Sequence, residues 1–278
     1  MWWVAGWAIV AIVGACGVVA STNSVRFERR VAREVRDVEA AAEAPILDRD
    51  RLAALPDPVQ RYLNKALGTR RGAIRTVRLR HGGTFRPSLQ GSWFPIRGEQ
   101  HFTTAPPAFV WWGRVRVFPG LWIDARDRSV NGAGSMFVTA ESTFTIADSH
   151  GPQLDQGALV RLLAEMPWLP TAFLDSRYVR WAAVDDHRAS ATLQVNDVTV
   201  TGLFEFGSDE LPSAFSADRF LDAGDGKPVM APFVGRFTDY RPVEGVLVPH
   251  RAVAAWIIGG ASQEYVRFDV ERLEFDVH

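Results

Sequence analysis

The sequence predicts a mainly β, α+β fold: a curved antiparallel sheet or incomplete barrel with a short helical lid, preceded by an N-terminal transmembrane helix. Three observations carry this expectation. Apolar residues alternate with polar ones through most of the chain past residue 70, which is the period of half-buried strands. The dipeptide Asn196-Asp197 sits between two such runs as a two-residue hairpin turn, which makes that pair antiparallel. Residues 1–20 contain no charged side chain.

That first segment is long enough to cross a bilayer, since about 20 helical residues at about 1.5 Å each span a hydrocarbon layer of about 30 Å. Trp2, Trp3 and Trp7 stand at its start and Arg26, Arg29, Arg30, Arg33 and Arg36 after its end, the arrangement of an anchored span. We therefore expect an anchor over 1–21. Two competing readings are a signal peptide cleaved after Val18-Val19-Ala20 and a degenerate lipoprotein box with Cys16 acylated. The first lacks a basic start and the second is followed by apolar residues. Val31, Val35, Val38 and Ala42 then recur at helical spacing, so 22–49 reads as an amphipathic stalk and linker that Pro45 ends.

Residues 50–278 read as one domain. Asp57-Pro58 opens a short amphipathic helix bearing Val59, Tyr62, Leu63 and Ala66, stopped at Gly68. Strands follow around 77–80, 109–117, 121–126, 136–140 and 142–147. A helix over 156–166, which Asp155 is expected to cap, carries Leu159, Leu162, Leu163 and Met166. More strands occupy 189–195, 198–206, 214–220, 233–240, 246–257 and 265–277. In the last, inward parity changes near Glu271, which implies a bulge. So few helices among so many strands fit an antiparallel sheet wrapped on its helices, not parallel crossover units.

Composition excludes several functions. With 31 Lys plus Arg against 32 Asp plus Glu, the net charge of -1 provides no global attraction for a phosphate backbone, so no nucleic-acid partner is expected. The single cysteine leaves no disulfide, multi-cysteine zinc site or dithiol motif. Residues 131–135, Asn-Gly-Ala-Gly-Ser, lack the features of a dinucleotide or phosphate loop. The six histidines are not spaced as metal ligands, so neither metal nor cofactor is expected.

The sharper signal is aromatic. Trp111 and Trp112 are adjacent, so in a strand one ring points to each side of the sheet, and both faces need an apolar cover or an apolar ligand. The expected ligand-binding set is Trp111, Trp122, Leu159, Leu162, Leu163, Met166, Trp168 and Trp181. No catalytic residue is assigned. The alternatives are an enzyme acting on a membrane-associated substrate through Asp124, Arg126 and Asp127 or through Asp185 to His187, and a sensor or interaction subunit binding a partner in the same groove.

Residues 55–63 (Leu-Pro-Asp-Pro-Val-Gln-Arg-Tyr-Leu), 107–111, 166–172 (Met-Pro-Trp-Leu-Pro-Thr-Ala), 235–240 and 245–249 together resemble an uncharacterised bacterial family of membrane-anchored domains. The strand-helix-strand plan is also similar, more weakly, to the lipoprotein-carrier class, a half-barrel with a helical lid over a hydrophobic cavity. That resemblance implies a fold and a hydrophobic ligand. The expected membrane helix is a departure from the soluble carriers and speaks against shuttling between membranes, so the two together give a membrane-tethered, non-catalytic module for a lipid, acyl chain or other hydrophobic ligand. The arginine excess after the anchor favours a cytoplasmic domain, whereas the carrier resemblance favours an extracytoplasmic one; either way the expected location is the cell membrane, with a single pass.

Overall fold

A computed structural model describes residues 2–47, 50–221 and 228–276, with side chains described from residue 19 onward. Among the described residues thirteen strands form one antiparallel sheet in the order β6-β5-β4-β3-β2-β1-β13-β12-β11-β10-β9-β8-β7. The first half comprises β1 (Thr76–Phe85), β2 (Phe94–Thr104), β3 (Pro107–Phe118), β4 (Leu121–Val130), β5 (Ala133–Ala140) and β6 (Phe144–His150). The second comprises β7 (Val179–Asp185), β8 (Arg188–Val195), β9 (Val198–Phe206), β10 (Pro212–Leu221), β11 (Val229–Val243), β12 (Val246–Ile258) and β13 (Ala261–Phe275). Pairing of β1 with β13 joins the halves, and the sheet curls into an incomplete barrel whose edge strands, β6 and β7, are connected through helix α3 (Pro152–Glu165).

Sequence determines this curl at identifiable places. Arg80 pairs with Arg272 but His81 with Val270, so Glu271 is the extra residue of a bulge, and the inward side chains change from Val266, Phe268 and Val270 to Leu273 and Phe275. Asn196 adopts a positive φ in the two-residue turn between β8 and β9, and its side-chain amide donates to the Asn131 carbonyl at 2.9 Å. Asn131 and Gly132 are thus the β4–β5 turn, with residues 133–135 already in β5, and this turn touches the β8–β9 turn of the other half of the sheet.

Helix α3 lies in the concavity. The structure begins it at Pro152, with Gly151 and not Asp155 at the cap position; Asp155 Oδ1 instead accepts the Gly134 backbone N–H at 2.7 Å. A side chain on Gly134 would meet the Leu154 carbonyl oxygen at 2.4 Å, so glycine permits this helix-strand approach. Likewise Asp57 is the first residue of α2 (Asp57–Leu67), with Pro56 at its cap and no capping side chain. Val59, Tyr62, Leu63 and Ala66 are fully buried. The apolar stretch after α3, in two 3-10 turns (Met166–Trp168 and Pro170–Leu174), lies wholly in the core, and Trp168 Nε1 donates to the Pro249 carbonyl at 2.8 Å.

The N-terminal helix α1 (Trp2–Ala41) lies on the opposite, convex face. Phe27, Val31, Val35 and Val38 pack on Ala108, Val110, Trp112, Val130 and Phe137 as a second, smaller core. Its polar edge is fixed by an ion pair from Glu34 to the buried Arg126 (3.2 Å) and by Glu39 on His101 (3.0 Å). Among the described residues no helix is long and apolar enough to cross a membrane; the uncharged run that prompts the anchor expectation falls, through residue 18, outside the described side chains.

Candidate functional site

Between α3 and the concave face of the sheet is a cavity of about 390 Å³, within the range of small-ligand sites, roughly 300–1,000 Å³. Strand alternation explains its wall. On β3, Phe109, Trp111 and Val115 turn inward while Val110 and Trp112 turn toward α1, so both faces of this strand are apolar because one carries a helix and the other a cavity. Ile123, Met136, Phe233, Phe237 and Phe268 extend the apolar lining.

Inside this apolar wall sits one charged network. Arg161 projects from α3 and donates through Nε to Glu165 Oε1 (2.9 Å), through Nη1 to Asp127 Oδ2 (2.7 Å) and through Nη2 to Gln100 Oε1 (3.0 Å). Gln100 Nε2 in turn donates to Glu165 Oε2 at 2.6 Å. The guanidinium carbon lies 4.9 Å and 5.0 Å from the ring centres of Phe109 and Trp111. Burial alone would lower the Arg161 pKa, but Glu165 and Asp127 outweigh it and keep the guanidinium charged. Burial also pushes the Glu165 carboxyl above its usual range, against the pull of Arg161 and Gln100. Beside them Trp111 Nε1 donates to His81 Nε2 at 2.8 Å. Burial depresses the His81 pKa to about 3, so the ring is a neutral acceptor at ordinary pH.

A second cation behaves differently. Arg219 on β10 also lines the cavity, donating through Nε to the Gly157 carbonyl (2.8 Å) and through Nη1 to the Tyr265 hydroxyl (3.3 Å), and it lies over the Phe233 and Trp256 rings. Among the described residues no carboxylate neutralises it.

Of the residues expected from sequence, Trp111 and Trp168 line this cavity. Leu159, Leu162, Leu163 and Met166 are fully buried in the core, on faces of their segment other than the one that meets the cavity. Trp181 is half-buried against Phe173 and Phe204. Trp122 stands on the convex face, where its Nε1 donates to Asp124 Oδ2 at 2.9 Å beneath Arg114. The same alternation divides the acid-base trio: Asp124 and Arg126 face outward, toward Arg114 and Glu34, and Asp127 faces the cavity, so the three cannot act on one substrate. Asp185 to His187 form the exposed turn between β7 and β8, where Asp185 pairs with Arg188 at 2.6 Å. Among the described residues no group of potential ligands could hold a metal ion. Sequence reasoning missed Arg161, Glu165, Gln100 and Arg219. The available signals were an Arg-x-x-x-Glu pair in an otherwise apolar helix and a glutamine on the inward face of a strand.

The segments that resemble an uncharacterised family fall within a family match over residues 45–268. The chain belongs to the family of unknown function DUF6544. The match takes in α2, α3 and twelve complete strands, ending inside β13. No curated protein matches the chain. Among solved structures, a DUF1329 family protein from Desulfovibrio piger is 11% identical, with a TM-score of 0.43, covering 80% of this chain and 94% of that one. A LolA superfamily protein from Nitrosomonas europaea is 10% identical with a TM-score of 0.39, covering 80% and 93%. A domain described as an outer membrane lipoprotein-sorting protein, from Vibrio parahaemolyticus, is 7% identical with a TM-score of 0.38, covering 73% and 86%.

Proposed function

We propose that this protein is a membrane-tethered, non-catalytic module that holds one amphiphile, its apolar chain in the cavity between α3 and the sheet. The observation that carries the reading is the cavity itself: about 390 Å³ lined mainly by aromatic and aliphatic side chains, where an apolar chain gains about 25 cal/mol for each Å² it removes from water. Size favours a single chain, because the volume lies near the lower end of ligand sites. Arg219 supports an anionic head, since a half-buried guanidinium with no carboxylate partner among the described residues lies along the same wall. The non-catalytic reading is supported by the saturation of Arg161 and His81 with internal partners. Residues 1–20 supply the tether, as the long uncharged run of the chain.

Native mass spectrometry of the purified full chain tests the binding. The expected result is one amphiphile adduct per chain, displaced by an apolar fluorophore; absence of both adduct and fluorophore uptake rejects the reading. The tether is tested separately, by retention in membranes through an alkaline carbonate wash.

A further inference from the structure

We infer that one rim of the barrel rests on the bilayer and that the cavity opens there, so that the ligand's chain passes from lipid into protein without crossing water. The inference rests on the membrane-tethered reading above and adds to it an orientation and a route. Consecutive antiparallel strands share their ends, so the turns β1–β2, β3–β4, β5–β6 and β12–β13, together with the start of β11, lie along one rim of the strands from β6 to β11 in sheet order. Beyond β11 that edge curls away, and the β8–β9 turn reaches the β4–β5 turn of the opposite edge. Past residue 50, the exposed large hydrophobic side chains among the described residues gather on it. Phe118 and Leu121 flank the β3–β4 turn, Phe144 begins β6, Val229 and Met230 begin β11, and Ile258 ends β12. Phe118 is 68% exposed and Phe144 67%. Val184, at the end of β7, is the exception. Single exposed apolar residues are ordinary on any surface; the gathering of all but one of these on one rim is what requires a cause.

Three further features coincide at that rim. In the β1–β2 connection, Trp93 lies 5.1 Å from the guanidinium of Arg86 and 4.4 Å from that of Arg267, an aromatic-cation grouping suited to the headgroup layer. Helix α1 meets the rim at its middle, since Asn23 Nδ2 donates to Thr143 Oγ1 in the β5–β6 turn (3.2 Å) and Ser24 Oγ accepts from Arg114 (2.8 Å). Farther along, Glu39 meets His101 and Glu43 N–H reaches the Ala105 carbonyl near the opposite rim, so the uncharged N-terminal segment is attached on the apolar side. Finally, the exposed residues of the cavity lining, Pro87 and Ile146, stand at the apolar rim, whereas Asp127, Glu165 and Trp168 lie buried within. A mouth on the lipid side spares the chain exposure to water, a cost of about 0.8 kcal/mol per CH₂.

The test uses the full chain with Cys16→Ala, reconstituted in vesicles of phosphatidylcholine and phosphatidylglycerol with brominated acyl chains. Single cysteines introduced by Phe118→Cys, Phe144→Cys and Ile258→Cys carry an environment-sensitive fluorophore, and Val184→Cys serves as the exposed control away from the rim. The rim labels are expected to shift to the blue and to be quenched by brominated lipid several-fold more than the Val184→Cys label. Three separate turns are labelled, and the thermal midpoint checks each variant, so one misfolded variant does not decide the outcome. Flotation with the vesicles is measured on the same samples. A chain that floats while its rim labels respond only to aqueous iodide overturns this inference and leaves the tether standing. A chain that does not float overturns both.

Discussion

At the scale of single residues, Arg161 is the side chain on which the cavity's polar groups depend. Removing it by Arg161→Met leaves Asp127 and Glu165 buried without their cation, and breaking such a pair costs about 3–5 kcal/mol. Glu165 already has a folded-state pKa above its unfolded one, so its ionised form costs stability at neutral pH, and lowering the pH through that folded value removes the cost. Denaturation of Arg161→Met is therefore expected to show a deficit that shrinks toward acid pH. Adding Asp127→Leu and Glu165→Leu should recover much of the loss at neutral pH; a triple variant as unstable as the single one would show that packing, not charge, sets the cost. Arg219 makes the complementary case. Arg219→Gln is expected to weaken retention of an anionic amphiphile about tenfold, equivalent to ~1.4 kcal/mol for a charge-assisted contact, and to leave a neutral analogue of equal chain length nearly unaffected. Titration with the two ligands measures that difference, and equal losses would remove Arg219 from headgroup recognition.

At the scale of elements, the docking of α1 on the convex face is the contact most open to pH. His101 lies between Glu39 of α1 and Glu99 of β2, at 3.0 and 2.8 Å, and Arg78 and Arg80 of β1 also pair with Glu99. Burial lowers the His101 pKa, but the two carboxylates outweigh it and raise it above the usual value. Glu99, pushed up by burial, is held at about 2 by His101, Arg78 and Arg80. The raised histidine contributes stability fully below its unfolded value and loses it as pH rises through the folded one. Amide-exchange protection factors in the last turns of α1, taken relative to the unstructured chain at each pH, should thus fall above neutrality in the parent protein and become insensitive to pH over that range in His101→Gln. Protection that stays constant in both would place the docking energy in Val31, Val35 and Val38 alone. Those valines are legible in the sequence because helical spacing marks a buried face, but their partners Ala108 and Val110 belong to a strand remote in sequence, which periodicity cannot connect. Strands β2 and β7 escape the same reading. The inward face of β2 carries Gly98 and Gln100 among Ile96 and Phe102, and β7 is exposed along most of its length, so neither shows clean apolar alternation. Where alternation is clean, as at Trp111 and Trp112, or changes parity, as at Glu271, sequence alone locates both the faces and the bulge.

Across the whole molecule, α3 is clasped by both halves of the sheet: Asp155 accepts from Gly134 on one side, while Gln156 and Gly157 meet Asp218 and Arg219 on the other. Its apolar periodicity identifies the face that packs in the core, Leu159, Leu162 and Leu163, whereas the cavity is met by Arg161, Ala164 and Glu165. Hydrophobic pattern reports burial on folding and does not separate a face packed in the core from one that borders a cavity, which is why the expected lid residues and the cavity-lining ones differ. The distinction is measurable. Leu162→Ser with Met166→Ser removes packed core atoms, and truncations of this kind cost about 2–5 kcal/mol each, a large part of the roughly 5–15 kcal/mol that holds a domain together. Ala164→Phe instead adds a ring where the structure has open space, so it should obstruct the cavity while avoiding most of the usual overpacking penalty of about 1–3 kcal/mol. The expected outcome is a near-parental thermal midpoint with fluorophore retention abolished for Ala164→Phe, and a collapsed midpoint for the double variant. Retention undiminished in a well-folded Ala164→Phe would move the ligand out of this cavity.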